Sequence, residues 1–345
     1  MIEIQDLYKY YGDRRAIGPL TVNIESGEIV GLLGLNGAGK TTTLRILACD
    51  LMPTSGSVKV GGHDVVAEPD AVRARTGYLP DRPPLYDDMS VVEYLGFAAQ
   101  LRGVSGDQVR RRVDDVLELT ELGFVRNQII GTLSHGYRQR VGIAQAIVHR
   151  PEFVVLDEPI SGLDPVQIVE MRELVRSLRG EHTVIVSSHI LTEISETCDR
   201  ILVISDGRIA WGGTEKQLFA DFGRGMQVAI TTRGAAAPRL EQLLRAVPGV
   251  SRVELVTPSE PGDEVVTVLL SAEGEVRDAA CRTLVQHDVA VLGVARQQGL
   301  ENMILKLLGG GEDAQARRSR KKNSEVKPSE SDSDPAGAET NAEGA

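Results

Sequence analysis

The sequence predicts an α/β chain in which a mostly parallel sheet is covered on both faces, with a helical insertion, a small α+β unit behind it and a disordered tail. Three observations carry that expectation. Apolar strand runs alternate with helical stretches through residues 1–221, the pattern that builds parallel sheets with helices on their faces. Residues 85–150 turn almost wholly helical. Beyond residue 222 the order becomes β-α-β-β-α-β, that of a ferredoxin-like split unit.

In chain order, Ile2–Leu7 alternates like a strand, and Thr21–Ile24 is a short apolar run ended by Ser26-Gly27. Glu28–Leu33 (EIVGLL) reads as a buried strand that runs into a glycine-rich loop, and Lys40–Ala48 reads as a helix. Ser90-x-x-Glu93 and Ser105-x-x-Gln108 are spaced as capping boxes, each opening a helix. Strand character returns in Phe153–Leu156, Thr183–Ser187 and Arg200–Ile204. Asp164-Pro165 opens a helix reaching Gly180, with proline at the first helical position. In the second unit, 222–309, strands are expected at Met226–Thr232, Arg252–Val256, Val265–Ser271 and Val289–Val294. Helices are expected near Pro238–Ala246, Glu275–Gln286 and Glu301–Leu308. Residues 310–345 surround a short basic cluster, Arg317–Lys322, with Gly, Ser, Glu, Asp, Pro and Ala. That composition buries too little apolar surface to fold, so a disordered tail is expected.

Composition narrows the function. The 345 residues carry a formal net charge of −11, the opposite of the basic footprint of a nucleic-acid-binding surface, so no nucleic-acid partner is expected. Aromatic residues make up only 4%, too few for an extended stacking platform. Cys49, Cys198 and Cys281 lie far apart without a CxxC pair, which suits reduced thiols and no zinc site. The first residues, MIEIQDLYKYYG, lack an apolar core behind a basic start, so no signal peptide is expected. No run of about 18 apolar residues occurs, so a membrane role requires a partner.

Two segments carry chemistry. Gly34-Leu35-Asn36-Gly37-Ala38-Gly39-Lys40-Thr41 fits GxxxxGK[ST]. Glycines at these positions let backbone N–H groups turn inward around phosphate oxygens at a helix N-terminus. Lys40 is placed to reach the β- and γ-phosphates, and the Thr41 hydroxyl to bind Mg²⁺. Phe153–Leu156 is an apolar strand that delivers Asp157 and Glu158 to a sheet edge. There Asp157 suits a metal ion and Glu158 suits polarising a water for attack on a γ-phosphate. Three further segments read singly as an N-capped helix start (Leu133–Gln139, LSHGYRQ), a loop (Ser161–Asp164, SGLD) and a histidine at a strand end (His189).

In this order and spacing the segments resemble the ATP-binding subunits of ABC transporters, over residues 2–220. The resemblance implies a P-loop NTPase of ABC type that hydrolyses ATP with Mg²⁺. It implies that Tyr11 stacks on adenine and that Gly34–Thr42, including Thr42, is the phosphate loop. Ser134 and Gly136 would contact ATP held by a second subunit, and Asp164 would lie in the loop crossing that interface. Asp157 would be the metal-binding acid, Glu158 the general base and His189 the sensor of the γ-phosphate. Two departures stand out: Asp81 occupies the place of the family's glutamine, where it is a candidate Mg²⁺ ligand, and His135 and Tyr137 replace Gly and Gln in the signature segment. LSHGYRQRVGIAQAI and the extra unit resemble the branch of multidrug, gliding-motility and copper-cofactor-maturation exporters. The implied setting is a homodimer or heterodimer of ATP-binding subunits at the cytoplasmic face of the membrane, bound to a membrane-spanning permease. A soluble ABC-type ATPase without transport is the alternative. A P-loop kinase or GTPase switch leaves the LSHGYRQ and SGLD pair unexplained and shows no NKxD loop.

Overall fold

The computed structural model describes residues 1–222, 226–256, 265–272 and 275–297. The chain divides into two units, Met1–Leu308 and Gly309–Ala345, and every described residue belongs to the first. The helix expected at Glu301–Leu308 and the tail lie outside the described residues.

The chain opens with β1 (Ile2–Tyr11) and β2 (Arg14–Ile24), followed by β3 (Ile29–Leu33) and α1 (Lys40–Leu47). Next come β4 (Ser55–Val60), β5 (His63–Asp64), α2 (Pro69–Arg75) and β6 (Thr76–Leu79). The helical stretch contains α3 (Val91–Leu101), α4 (Gly106–Leu119) and α5 (His135–Ile147). Then follow β7 (Phe153–Leu156), α6 (Pro165–Ser177), β8 (Thr183–Ser188), α7 (Leu191–Ser195), β9 (Arg200–Ser205), β10 (Arg208–Gly213) and α8 (Glu215–Phe222). Beyond residue 225 the described chain runs β11 (Met226–Arg233), α9 (Ala237–Arg245), β12 (Val250–Val256), β13 (Val265–Ala272), α10 (Arg277–Gln286) and β14 (Ala290–Gln297).

A six-stranded sheet in the order β10-β9-β3-β8-β7-β6 is the frame of the site. All its pairs are parallel except β10 with β9. Every residue of β3, β7 and β8 is buried, which is why these strands read as unbroken apolar runs. Successive side chains point to opposite faces. Ile29, Leu33, Val154, Leu156, Val184 and Val186 pack against the helical side, and Val30, Leu32, Phe153, Val155 and Ile185 pack against the other core. That second core is closed by α1 and by an antiparallel sheet, β2-β1-β4-β5.

Two local expectations change. The Ser90 box forms: its hydroxyl accepts from the Glu93 amide at 3.4 Å while Glu93 Oε2 accepts from the Ser90 amide at 2.9 Å. Ser105 also occupies the cap position of α4, but its side chain makes no capping bond. The Gln108 amide donates to the Ser105 carbonyl at 2.8 Å instead, so the donor that a hydroxyl would serve is already taken. The antiparallel sheet extends what sequence periodicity indicates: β1 runs to Tyr11 and β2 begins at Arg14. Register shifts inside β1, with Asp6 at φ 45°, break the period-two pattern there.

After α8 the described strands form a separate antiparallel sheet, β12-β13-β11-β14. Val228, Ile230, Val268 and Leu270 from its strands pack with Leu240, Leu244 and Leu284 from α9 and α10.

Candidate active site

Parallel strands carry their following loops to one sheet edge, the usual place for ligands in open α/β sheets. Here Gly34 follows β3, Asp81 follows β6 by two residues, Asp157 follows β7 and His189 follows β8. Residues far apart in sequence thus meet because Leu33 is in register with Ser188, and Leu156 with both Leu79 and Val186.

The loop Gly34–Thr42 is shaped by its glycines. A Cβ on Gly34 would lie 2.5 Å from the Ile204 carbonyl oxygen, and one on Gly39 would lie 2.6 Å from Ile17 Cγ2. Gly37 and Gly39 also adopt φ of 82° and 112°, conformations that suit glycine. Leu35, Asn36 and Gly37 are exposed, whereas Ala38 and Gly39 are buried beneath them. Lys40 is the first residue of α1. Its side chain is 6% exposed, and its ammonium donates to the Gly34 carbonyl at 2.7 Å and lies 3.1 Å from Glu158 Oε1. Thr41 is exposed at the loop mouth and Thr42 is half-buried.

Asp157 is fully buried. Its amide donates to the Leu79 carbonyl at 2.9 Å, and its Oδ1 accepts from the Ser187 hydroxyl at 2.6 Å. Oδ2 is buried and makes no geometrically well-formed hydrogen bond among the described residues, with the Thr41 hydroxyl nearby. Burial pushes the Asp157 carboxyl above the usual carboxylate range; the Ser187 and Thr41 hydroxyls pull it back, and the charges of Glu158 and Asp81 add to the rise. Glu158 turns the chain with φ 51°, and its amide donates to Ser187 Oγ at 2.9 Å. Its carboxylate bridges two cationic or protonatable groups, with Oε2 2.9 Å from His189 Nδ1 and Oε1 against Lys40.

A metal ion at this edge is tested by the donors present. Among the described residues there is no group of three or more His, Cys, Asp or Glu able to enclose a metal. One buried carboxylate oxygen with no well-formed hydrogen bond, beside a threonine hydroxyl, fits Mg²⁺ of the kind held by one or two protein oxygens and by substrate phosphates.

Ser134, Gly136 and Asp164 form a second cluster. Ser134 caps α5 through its backbone alone, leaving its exposed hydroxyl free of any capping bond. A Cβ on Gly136 would stand 2.6 Å from Gln167 Oε1, so α5 and α6 approach closely there. His135 Nε2 lies 3.1 Å from the Ser161 carbonyl, tying the start of α5 to the loop 161–164. Asp164 Oδ1 accepts from the amides of Val166 and Gln167 at 3.0 and 2.9 Å, so its carboxylate caps α6. Tyr137 is half-buried and meets Phe124 edge-on at 5.4 Å between ring centroids. No hydrogen bond or ion pair among the described residues joins side chains of the two clusters; the chain 157–164 links them. Tyr11 stands apart at the end of β1, 48% exposed, with Lys9 Nζ 5.4 Å from its ring centroid. Ser187, which touches both acids, and Gln167, which lies close against Gly136, are not indicated by the sequence. A serine inside an apolar strand and a glutamine in a helix carry no spacing signal.

A glycine loop at the end of one parallel strand, with a lysine drawn to the acid pair of another, defines a P-loop NTPase. The ABC transporter family model matches residues 17–161. The bacitracin transport ATP-binding protein BcrA of Bacillus licheniformis is 31% identical over 90% of this chain and 98% of its own length. The daunorubicin/doxorubicin resistance ATP-binding protein DrrA of Streptomyces peucetius is 36% identical over 72% of this chain and 76% of its own. Among solved structures, a dimeric ATP-binding cassette in a post-hydrolysis state, bound to ADP and Pi, superposes with a TM-score of 0.57 at 26% identity, covering 62% of this chain and 98% of that one. The chain belongs to the ATP-binding subunits of ABC transporters, and it binds and hydrolyses ATP.

Proposed function

We propose that this subunit drives export through a separate membrane-spanning permease, with two ATP molecules clasped between two ATP-binding subunits. The relatives named for bacitracin transport and for daunorubicin/doxorubicin resistance support outward movement. The dimeric structural neighbour supports pairing with an identical or paralogous copy. Among the described residues no helix is long and apolar enough to cross a membrane. The bilayer contact therefore falls to the permease, with this subunit at its cytoplasmic face. A groove of about 680 Å³ lined by Arg73, Tyr86, Tyr94, Phe97, Leu101 and Arg102 offers that partner a seat that is part aromatic and part cationic.

In this reading Gly34–Thr42 cradles the phosphates and Tyr11 stacks on adenine. Lys40 and His189 reach the γ-phosphate from one copy, while the Ser134 hydroxyl and the Gly136 amide reach it from the other, flanked by Asp164. Thr41 and Asp157, with Asp81 nearby, would hold Mg²⁺, which neutralises charge on the β- and γ-phosphates. Glu158 takes the proton of the attacking water. Loss of the γ-phosphate contacts then opens the pair, which is how nucleotide state biases a two-state assembly. Residues 1–221 form the ATP-binding domain, with its helical part at about 85–150. Residues 222–309 form an accessory unit for which the sheet order β12-β13-β11-β14 supports a ferredoxin-like architecture.

The observation that carries the reading is the Glu158 carboxylate held between Lys40 and His189 at 3.1 and 2.9 Å. Glu158→Gln should retain ATP binding, lose turnover by about 10²–10⁴-fold and accumulate as an ATP-bound dimer in light scattering. Turnover near wild type would remove Glu158 from the role of base.

A further inference from the structure

Ser187 lies fully buried in β8, between β3 and β7. Its hydroxyl is shared by both acids, donating to Asp157 Oδ1 at 2.6 Å and accepting from the Glu158 amide at 2.9 Å. On the other side, the Asp157 amide is fastened to the Leu79 carbonyl of β6 at 2.9 Å. The aspartate is therefore gripped from two neighbouring strands. With Oδ1 engaged, the carboxylate cannot spin about its terminal bond without losing that hydrogen bond. Oδ2 is left as the oxygen with no well-formed hydrogen bond among the described residues, on the side open to the Thr41 hydroxyl and a metal. The second bond acts on the backbone. Glu158 has φ 51°, a region that residues with a side chain enter only when the surroundings hold them there. The Glu158 amide is a partly buried donor in need of a partner, and Ser187 Oγ supplies one. The same turn sends the Glu158 carboxylate back toward Lys40 and His189.

We propose that Ser187 is a positioning residue for ATP hydrolysis: one hydroxyl orients Asp157 toward the metal and holds the backbone turn that aims Glu158 at the attacking water. The inference rests on the ATPase reading of the site and adds a residue to it. Ser187 is fully buried, so its hydroxyl acts through the two acids rather than on a ligand. Its removal should therefore spare the phosphate loop and damage only what the two acids do.

The experiment compares full-length wild type and Ser187→Ala in three readouts. Partners that orient metal ligands typically contribute 10–100-fold to metal affinity or activity. Ser187→Ala should thus lower kcat by about 10–100-fold and weaken binding of Mn²⁺ to the ADP-loaded protein, followed by electron paramagnetic resonance, by a similar factor. KM for ATP and the affinity for ADP in excess chelator should stay within about twofold, because Lys40 and the glycine loop are unchanged. Wild-type kcat and Mn²⁺ affinity in the variant would overturn the proposal. So would a loss of chelator-insensitive ADP affinity as large as the loss of kcat, which would make Ser187 a general support of the fold. Wild-type protein that neither binds ADP nor hydrolyses ATP would instead sink the ATPase reading itself.

Discussion

Replacing Glu158 by glutamine is expected to tighten ADP binding even as it slows turnover by about 10²–10⁴-fold. Lys40 Nζ and Glu158 Oε1 are 3.1 Å apart, and the two side chains are 6% and 13% exposed. A phosphate that comes to Lys40 must share that ammonium with the carboxylate, and it meets the carboxylate's own negative charge. At an effective dielectric of about 20, two unit charges at this separation interact by roughly 5 kcal/mol. Most of that gross figure is offset by desolvation, and the glutamine amide keeps part of the hydrogen bonding, which leaves a net effect of about 2 kcal/mol. Such a difference corresponds to about 30-fold in Kd. Calorimetric titration with ADP in excess chelator isolates the effect, since hydrolysis, Mg²⁺ and the γ-phosphate are all excluded. The variant should also melt earlier than wild type without nucleotide, because a buried ammonium has lost its counter-charge, and regain more of its melting temperature on adding ADP. ADP binding equal to or weaker than wild type would refute the idea that Glu158 competes with phosphate for Lys40.

Three further outcomes follow from the geometry. Gly34→Ala should weaken ATP binding by more than about tenfold in an equilibrium titration, because its Cβ would lie 2.5 Å from the Ile204 carbonyl oxygen and 3.2 Å from Ala38 Cβ, so the loop must move. Arg140 donates to the Thr120 carbonyl and Glu121 Oε2, both at 3.0 Å, and to Glu170 Oε2 at 2.7 Å. Arg140→Ala should therefore lower unfolding free energy by about 2 kcal/mol in urea, the scale of hydrogen bonds to charged groups. Burial, and then the Arg102 charge, hold His149 down to about pKa 4, against a smaller opposing pull from the Thr76 backbone. The unfolded chain binds that proton more readily, so stability should fall as pH drops from about 6.5 toward about 4, by roughly 2 kcal/mol at pH 5. His149→Gln should erase that component in denaturation curves at pH 7 and pH 5.

The central sheet was legible because its strands are buried on both faces. EIVGLL, FVVL and TVIVSS need no period-two pattern to be recognised, and each ends where a chemical group begins. Lys40, Asp157, Glu158 and His189 were readable for the same reason, since a strand end fixes a side chain at the edge and linear spacing preserves the order. The antiparallel sheet was less legible. Gly18-Pro19 interrupts β2, and SGSVKV in β4 begins with residues that usually mark turns. The hairpin of β9 and β10 carries an Asp206-Gly207 turn with φ of 48° and 77°, a signal present in the sequence but masked by the glycines that end β10. Ser187 was illegible because its importance lies across strands. Nothing in VIVSSH distinguishes the serine that meets Asp157 from Ser188 beside it, which instead donates to Glu193 Oε2 at 2.5 Å. Gln167 is hidden likewise, because its meaning depends on how closely α5 approaches α6.

Asp157, Glu158, Ser161 and Asp164 sit on one short stretch with little slack. The Ser161 amide is pinned to the Glu158 carbonyl at 3.1 Å, and the far end is riveted to α6 by the Asp164 cap. Any sideways pull on α6, or on α5 through His135, is therefore transmitted to Asp157 and Glu158 within a few peptide units. In the proposed pair of subunits, this connection would let Asp157 and Glu158 at the end of β7 register whether the α5 of the same copy is engaged by its partner, tying the pace of one half to the grip of the other.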